Sequence, residues 1–127
     1  MRRHADLKIA EGELHKAVAD LLDAVLLPPA VWTTFPAGWG KLNKSTAGRL
    51  KGSGLKAGMP DILVFYNGST IGIELKTLEG ALSRDQKLIF PLLEKAGMKI
   101  CVCRAADEVL EYLRMYGLPL RKMRVAA

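Results

Sequence analysis

Two carboxylates and a lysine stand in the middle of the chain with a spacing that suits phosphate chemistry. Asp61 follows Pro60, and Glu74 and Lys76 come in the next β-rich run. Carboxylate oxygens are the ligands that a hard cation such as Mg²⁺ prefers, and the ion keeps several of its waters. A cation held in this way activates water and neutralises a phosphate, while a neighbouring lysine steadies developing charge. The alternative is an ordinary ion pair between Glu74 and Lys76 on an exposed sheet edge.

A β-hairpin is the element that brings these side chains together. Residues 61–66 form a β-rich run, an Asn-Gly pair follows at 67–68, and residues 70–76 form a second run. Asn-Gly is the strongest short-range hairpin pattern. Antiparallel pairing then places Asp61 beside the end of the second strand. Because side chains alternate between the two faces of a strand, Glu74 and Lys76 share one face.

Helices and one further strand complete an α/β pattern around this hairpin. Ser83 is the predicted N-cap of the helix at 83–95, and Gln86 is its capping-box partner. Together with the hairpin, these elements give the order α, long loop, β, β, α, β, α. The other predicted elements are a helix at 11–27, a strand at 99–103 and a helix at 106–116.

Length and composition indicate one globular domain with a basic surface. The 127 residues are half hydrophobic and one quarter charged, which excludes disorder, collagen and coiled coil. Residues 1–127 are therefore predicted to form a single domain. Nineteen Lys and Arg against thirteen Asp and Glu leave a net charge of +6, which favours a polyanionic partner such as nucleic acid. Two cysteines cannot form a disulfide framework and no segment spans a bilayer, so we expect a cytoplasmic protein with no membrane partner.

The basic charge is concentrated in one Gly-rich segment. No Asp or Glu occurs between Ala24 and Pro60, and six of the twelve glycines lie there. Residues 33–60 are predicted to form a long mobile loop that faces DNA, the alternative being a solvated loop without a partner. The predicted DNA-binding cations of this loop are Lys41, Lys44, Arg49, Lys51 and Lys56.

The residues around the carboxylates resemble one nuclease family. Pro60-Asp61 followed by Glu74-Leu-Lys76 is similar to the PD-(D/E)xK nuclease motif, and the surrounding sequence resembles the VRR-NUC (virus-type replication-repair nuclease) branch over about residues 11–116. The stretches that carry this resemblance are Glu11-Gly-Glu-Leu-His-Lys-Ala-Val18, Gly58-Met-Pro-Asp-Ile-Leu-Val64, Gly72-Ile-Glu-Leu-Lys-Thr77, Gly80-Ala-Leu-Ser83 and Asp85-Gln86.

The resemblance implies a fold, an activity and a core of site residues. The fold is a restriction-endonuclease-like core, with a small mixed sheet flanked by helices. The activity is Mg²⁺- or Mn²⁺-dependent cleavage of DNA. By position, Asp61 and Glu74 are the expected metal ligands, together with the carbonyl of Leu75. Lys76 is the expected catalytic lysine.

Two further site residues come from the flanking helices. Gln86 matches the family's glutamine at the start of the helix after the Glu-x-Lys strand, although it could serve only as a cap. The family also places a first-helix glutamate near the metal. Glu11 is the preferred candidate because it shares a helix face with His15, and Glu13 is the alternative. His15 either supports the site or is a plain boundary residue.

The function predicted from these features is metal-dependent DNA endonuclease activity on branched DNA such as four-way (Holliday) junctions. The setting would be repair or recombination in a bacterial or phage-infected cell. A flap-type, repair or restriction nuclease and a non-catalytic DNA-binding subunit remain open. No nucleotide cofactor is expected, since the single match to a dinucleotide pattern lacks its strand and helix. Resolving a four-way junction requires cuts in two opposed strands, and one chain has one candidate site, which suggests a homodimer. The candidate contact residues between the subunits are Leu88, Phe90, Leu92 and Leu113.

Overall fold

Helices and strands alternate along the chain. The computed structural model describes residues 4–35 and 44–122, and within them the chain forms four helices and four strands. The helices are α1 (His4–Val25), α2 (Lys44–Gly52), α3 (Arg84–Lys95) and α4 (Ala106–Met115). The strands are β1 (Val31–Thr34), β2 (Ile62–Tyr66), β3 (Ser69–Leu75) and β4 (Lys99–Cys103).

The strands form one mixed sheet in the order β1-β2-β3-β4. β2 is antiparallel to both β1 and β3, whereas β3 and β4 are parallel. The β2–β3 hairpin turns through Asn67 and Gly68, which both have positive φ, as the Asn-Gly pair predicts. Ile62 pairs with Ile73, so Asp61 comes next to Glu74 across the hairpin. The sequence-based α/β prediction and the hairpin register are both confirmed.

One face of the sheet carries the main hydrophobic core. α1 contacts β3, α4 contacts β4, and the two helices contact each other. The buried side chains of this core are Val18, Leu22, Ile62, Val64, Ile71, Ile73, Leu75, Cys101, Cys103, Val109, Leu113 and Leu118. β3 therefore directs its alternate apolar residues into a fully desolvated layer, which fixes its register.

The opposite face of β3 is buried as well. Gly72 lies on this face, and a side chain would not fit there. An added Cβ would come within 2.8 Å of both Pro60 Cγ and Met98 Sδ. α3 contacts β4 and begins with the predicted capping box, in which Ser83 and Gln86 bond to each other's backbone N–H. The predicted capping box is confirmed. β3 is thus a central strand, and a polar group on its second half, residues 71–75, is shielded from water.

Two expectations about the N-terminal half are wrong. The first helix begins at His4, whereas residue 11 was the predicted start. Residues 33–60 are not one long loop, because β1 ends within them and α2 lies inside them. The sequence did not predict β1 because its hydrogen-bonding partner β2 is distant in sequence. The sequence did not predict α2 because the residues of that helix lack an apolar stripe and include two glycines.

None of the helices in the described part of the chain is long and apolar enough to cross a membrane.

Candidate active site

The site lies at the sheet edge where β2 begins and β3 ends. Asp61 immediately precedes β2, and Glu74 and Leu75 are the last two residues of β3. The backbone N–H of Leu75 donates to Asp61 Oδ2 at 2.8 Å. The backbone N–H of Lys76 donates to the carbonyl of Cys103 at 3.0 Å, which extends the parallel pairing past the end of β3. Backbone hydrogen bonds therefore fix the relative positions of both predicted carboxylates and the lysine.

Glu74 is a carboxylate inside the protein. Its side chain is 2% exposed, and its Oε2 accepts from Gln86 Nε2 at 2.7 Å and pairs with Lys76 Nζ at 3.2 Å. The other oxygen, Oε1, is buried and has no hydrogen-bond partner. A buried carboxylate oxygen without a partner is costly because burial removes its hydration without replacing it. Glu74 is therefore held by two donors on one side and is unsatisfied on the other.

The protonation of the two carboxyl groups reflects this burial. Burial raises the pKa of Glu74 to about 7, and the negative charge of Asp61 adds to the rise, against the opposing effect of Lys76. Burial also raises the pKa of Asp61, although the Leu75 N–H, His15 and Lys76 oppose it. Two carboxyls that resist ionisation side by side favour a positive ion between them.

The donor set fits a small hard cation. In residues 4–35 and 44–122, no three His, Cys, Asp or Glu side chains come together as a metal site. Mg²⁺ commonly uses only one or two carboxylates and completes its shell with water and substrate phosphate. The carboxylates of Asp61 and Glu74, the latter with an unpartnered oxygen, fit such a partial set. The role of the Leu75 carbonyl as a further ligand stays a prediction.

The first helix reaches the site through His15. Its Nε2 is 3.0 Å from Thr34 Oγ1, and that hydroxyl lies 3.2 Å from the Asp61 carbonyl, to which it donates. The described hydrogen bonds and ion pairs of Asp61 and Glu74 do not include Glu11. Glu11 is half-buried whereas Glu13 is exposed. The role of Glu11 as a ligand stays a prediction.

Arg104 is a site-supporting residue that the sequence analysis missed. It follows β4, and its Nη1 donates to the carbonyls of Thr77 and Gly80, the latter at 2.7 Å. These bonds fasten the turn that follows Lys76. Thr34 was missed as well, because the strand that carries it was not predicted. Neither residue belongs to a local pattern, so only the three-dimensional pairing of distant segments reveals them.

Gly58 ties the approach to Asp61 to the start of α3. Its φ is +86°, and an added Cβ would lie 2.7–2.8 Å from the backbone of Asp85 and Gln86. Only glycine allows this contact, since both the φ value and the space exclude a larger residue. The segment before Asp61 and the helix that carries Gln86 are therefore in direct contact.

The predicted DNA-binding cations are only partly described. Arg49 and Lys51 lie in the last turn of α2, and Lys56 follows that helix. All three side chains are exposed. Lys41 and the side chain of Lys44 lie outside the described residues. DNA binding by these five residues stays a prediction.

Comparison with known proteins agrees with the fold and identifies the family. The VRR-NUC domain matches residues 37–107, which include Asp61, Glu74, Lys76 and Gln86. A solved structure described as a VRR_NUC domain protein superposes with a TM-score of 0.58 at 21% identity, covering 84% of this chain and 86% of the other. No curated protein matches the chain. The family match spans more than half of the chain, and the protein therefore belongs to the VRR-NUC domain family of PD-(D/E)xK-type nucleases.

Proposed function

We propose that this protein is a Mg²⁺- or Mn²⁺-dependent endonuclease that cuts DNA phosphodiester bonds. Its proposed active-site residues are Asp61, Glu74 and Lys76. The observation that carries the proposal is the state of Glu74, which is 2% exposed, paired with Lys76 and left with an unpartnered oxygen. A purely structural glutamate in this position would destabilise the fold. A DNA-binding subunit without catalysis would gain nothing from two carboxylates beside a phosphate.

Each residue of the proposed site has its own role. Asp61, Glu74 and the Leu75 carbonyl would hold the divalent ion, which when bound lowers the pKa of water and neutralises phosphate charge. Gln86 keeps the Glu74 carboxylate oriented by donating to Oε2. The Lys76 side chain is 13% exposed, so it is mostly shielded from water and yet accessible to an approaching phosphate. A desolvated ammonium stabilises developing negative charge more strongly than one in water.

Branched DNA is the proposed substrate class, acted on by a homodimer in the cytoplasm of a bacterial or phage-infected cell. A symmetric dimer would present two equivalent sites to the two opposed strands of a four-way junction.

A cleavage panel tests the proposed activity and substrate together. The 127-residue protein is incubated with four-way junctions, flaps, splayed arms, duplex and single strands of matched sequence, in Mg²⁺, Mn²⁺ or EDTA. We expect metal-dependent cuts, fastest at the junction, and none in EDTA. Faster cutting of flaps than of junctions would favour the flap-type alternative. Cleavage in EDTA would contradict the metal-dependent mechanism.

Neutralising the basic segment should weaken binding to every DNA shape. The triple variant Arg49→Gln, Lys51→Gln and Lys56→Gln should flatten the dependence of log Kd on log salt by about one unit per lost phosphate contact. The measurement is fluorescence anisotropy over a range of salt concentrations.

The matched control for that triple variant removes three exposed cations elsewhere, at Arg114, Arg121 and Lys122. It changes the net charge equally and should leave most of the slope intact. Equal flattening in both triple variants would show that the net charge alone drives binding.

The dimer prediction now rests on α3. Phe90 and Leu113 are buried inside the chain, so they are not contact residues between subunits as the sequence suggested. Leu88 and Leu92 are 63% and 62% exposed, and they lie one turn apart on the same helix face. We expect light scattering to give twice the mass of one chain, and Leu88→Ser with Leu92→Ser to halve it. A single-chain mass for the parent would exclude the dimer.

A further inference from the structure

The turn after the catalytic strand displays an apolar side chain to solvent. Leu78 is 85% exposed, the highest value among the large exposed hydrophobic side chains of the described residues. It lies two residues beyond Lys76. An exposed leucine by itself needs no explanation. Its position beside the proposed cleavage site and the way its turn is held distinguish this one.

The turn at 77–80 is fixed from inside the protein. The N–H of Gly80 donates to the Thr77 carbonyl at 3.0 Å, and Arg104 donates to the carbonyls of both residues. Thr77 is buried, and the backbone N–H of Arg104 donates to Glu108 at 3.2 Å. Both ends of the turn are therefore anchored to the end of β4. The backbone that carries Leu78 is therefore held in place two residues after Lys76.

The two exposed side chains of the turn, Leu78 and Glu79, suit contact with a base better than contact with a phosphate. Glu79, the next residue, is exposed and repels phosphate groups. An apolar side chain gains nothing from a charged backbone but packs well on the flat face of a base. DNA-distorting proteins use leucine and similar side chains as wedges against unstacked base steps.

We infer that Leu78 contacts an unstacked base next to the scissile phosphate and thereby favours branched over continuous DNA. The inference rests on the proposed function and names a specificity residue for it. At a branch point the terminal bases are already partly unstacked, so the leucine covers an open base face. In an intact duplex the same contact first requires a base step to open, which costs free energy.

The test compares cleavage of a four-way junction with cleavage of a duplex of the same sequence. Leu78→Ala should lower the junction-to-duplex rate ratio about tenfold, the size expected for losing most of one buried leucine contact. Leu78→Met keeps an apolar side chain of similar reach and should retain the ratio. Met115→Ala is the matched control, since Met115 is also exposed and lies at the opposite end of α4 from Arg104.

A binding measurement separates the leucine contact from catalysis. A 2-aminopurine placed beside the junction cut site should brighten when the parent binds in EDTA, and the rise should be lost with Leu78→Ala. An unchanged ratio and an unchanged fluorescence rise would overturn the inference while leaving the nuclease function in place. A drop in oligomer mass with Leu78→Ala would instead assign the leucine to a subunit contact. If the parent cuts no DNA in either metal, the proposed function and this inference both fail.

Discussion

Asp61→Asn and Glu74→Gln should each reduce DNA cleavage by at least about a thousandfold, on the scale of removing a preorganised charge-stabilising group from an active site. Each substitution removes one negative charge from the proposed ion site and leaves the shape nearly unchanged. DNA binding should survive or tighten, because the approaching phosphates meet less repulsion. Single-turnover cleavage and anisotropy on the same junction measure the two properties separately.

Asp85 offers a control carboxylate close to the site. It is exposed on the first turn of α3, one residue before Gln86. Asp85→Asn removes the same charge without touching the proposed ion ligands, so it should retain most of the activity. If Asp85→Asn and Glu74→Gln lost the same amount of activity, the burial of Glu74 would have no special role.

The same carboxyl pair should make the metal-free protein less stable as pH rises. The pKa of Glu74 is about 7 in the folded chain against 4.5 ordinarily, so between these values the folded state holds more protons than the unfolded state. The free energy of unfolding therefore falls as pH rises from about 4.5 to about 7, and the raised pKa of Asp61 acts in the same direction. Denaturant unfolding in EDTA should show this fall, and Glu74→Gln should reduce it. A parent whose stability rises over that interval would contradict the assignment.

Lys76→Ala should lower the cleavage rate by about two orders of magnitude or more. Lys76 Nζ lies 3.2 Å from Glu74 Oε2 and helps to lower the pKa of that carboxyl. Its loss therefore removes a positive charge from the phosphate and also makes Glu74 harder to ionise. Lys76→Arg should not restore full activity, because the planar guanidinium is larger than a compact ammonium.

The two consequences of losing Lys76 can be separated experimentally. Raising the pH and the metal concentration should recover whatever part of the loss comes from Glu74 protonation. The part due to phosphate charge should persist at saturating metal. Lys95→Ala, an exposed lysine at the far end of α3, is the control and should retain parental rates. A Lys76→Ala variant that cuts at the parental rate would make Lys76 an ordinary surface charge.

The core of the site could be predicted from the sequence because its determinants are local. The Asn-Gly turn sets the hairpin register, and that register places Asp61 beside Glu74. The Ser83 and Gln86 capping box sets the start of α3, and the same glutamine then reaches Glu74. Short-range rules of turn and helix chemistry were sufficient for the hairpin and the capping box, whereas the site role of Gln86 was implied only by the family resemblance.

The supporting residues could not be predicted because they depend on contacts between distant segments. Thr34 reaches Asp61 only because β1 adds to the far side of β2. Arg104 reaches the turn at 77–80 only because β4 lies parallel to β3. Nor did the sequence show that Glu74 would be buried, since strand alternation alone does not tell whether a helix covers that face. The unpartnered Oε1 of Glu74 is a property of the folded protein.

In the proposed mechanism Asp61 and Glu74 together hold the catalytic ion, and calorimetric titration of Mn²⁺ into the metal-free protein near pH 7 measures this role without relying on cleavage. Binding should release protons, because Glu74 is partly protonated at that pH and must ionise to become a ligand. Repeating the titration in buffers of different ionisation enthalpy measures that release. We predict that Asp61→Asn and Glu74→Gln bind Mn²⁺ far more weakly than the parent and that Asp85→Asn binds it equally well. Parental Mn²⁺ affinity in both Asp61→Asn and Glu74→Gln would show that neither carboxylate is a ligand of the ion.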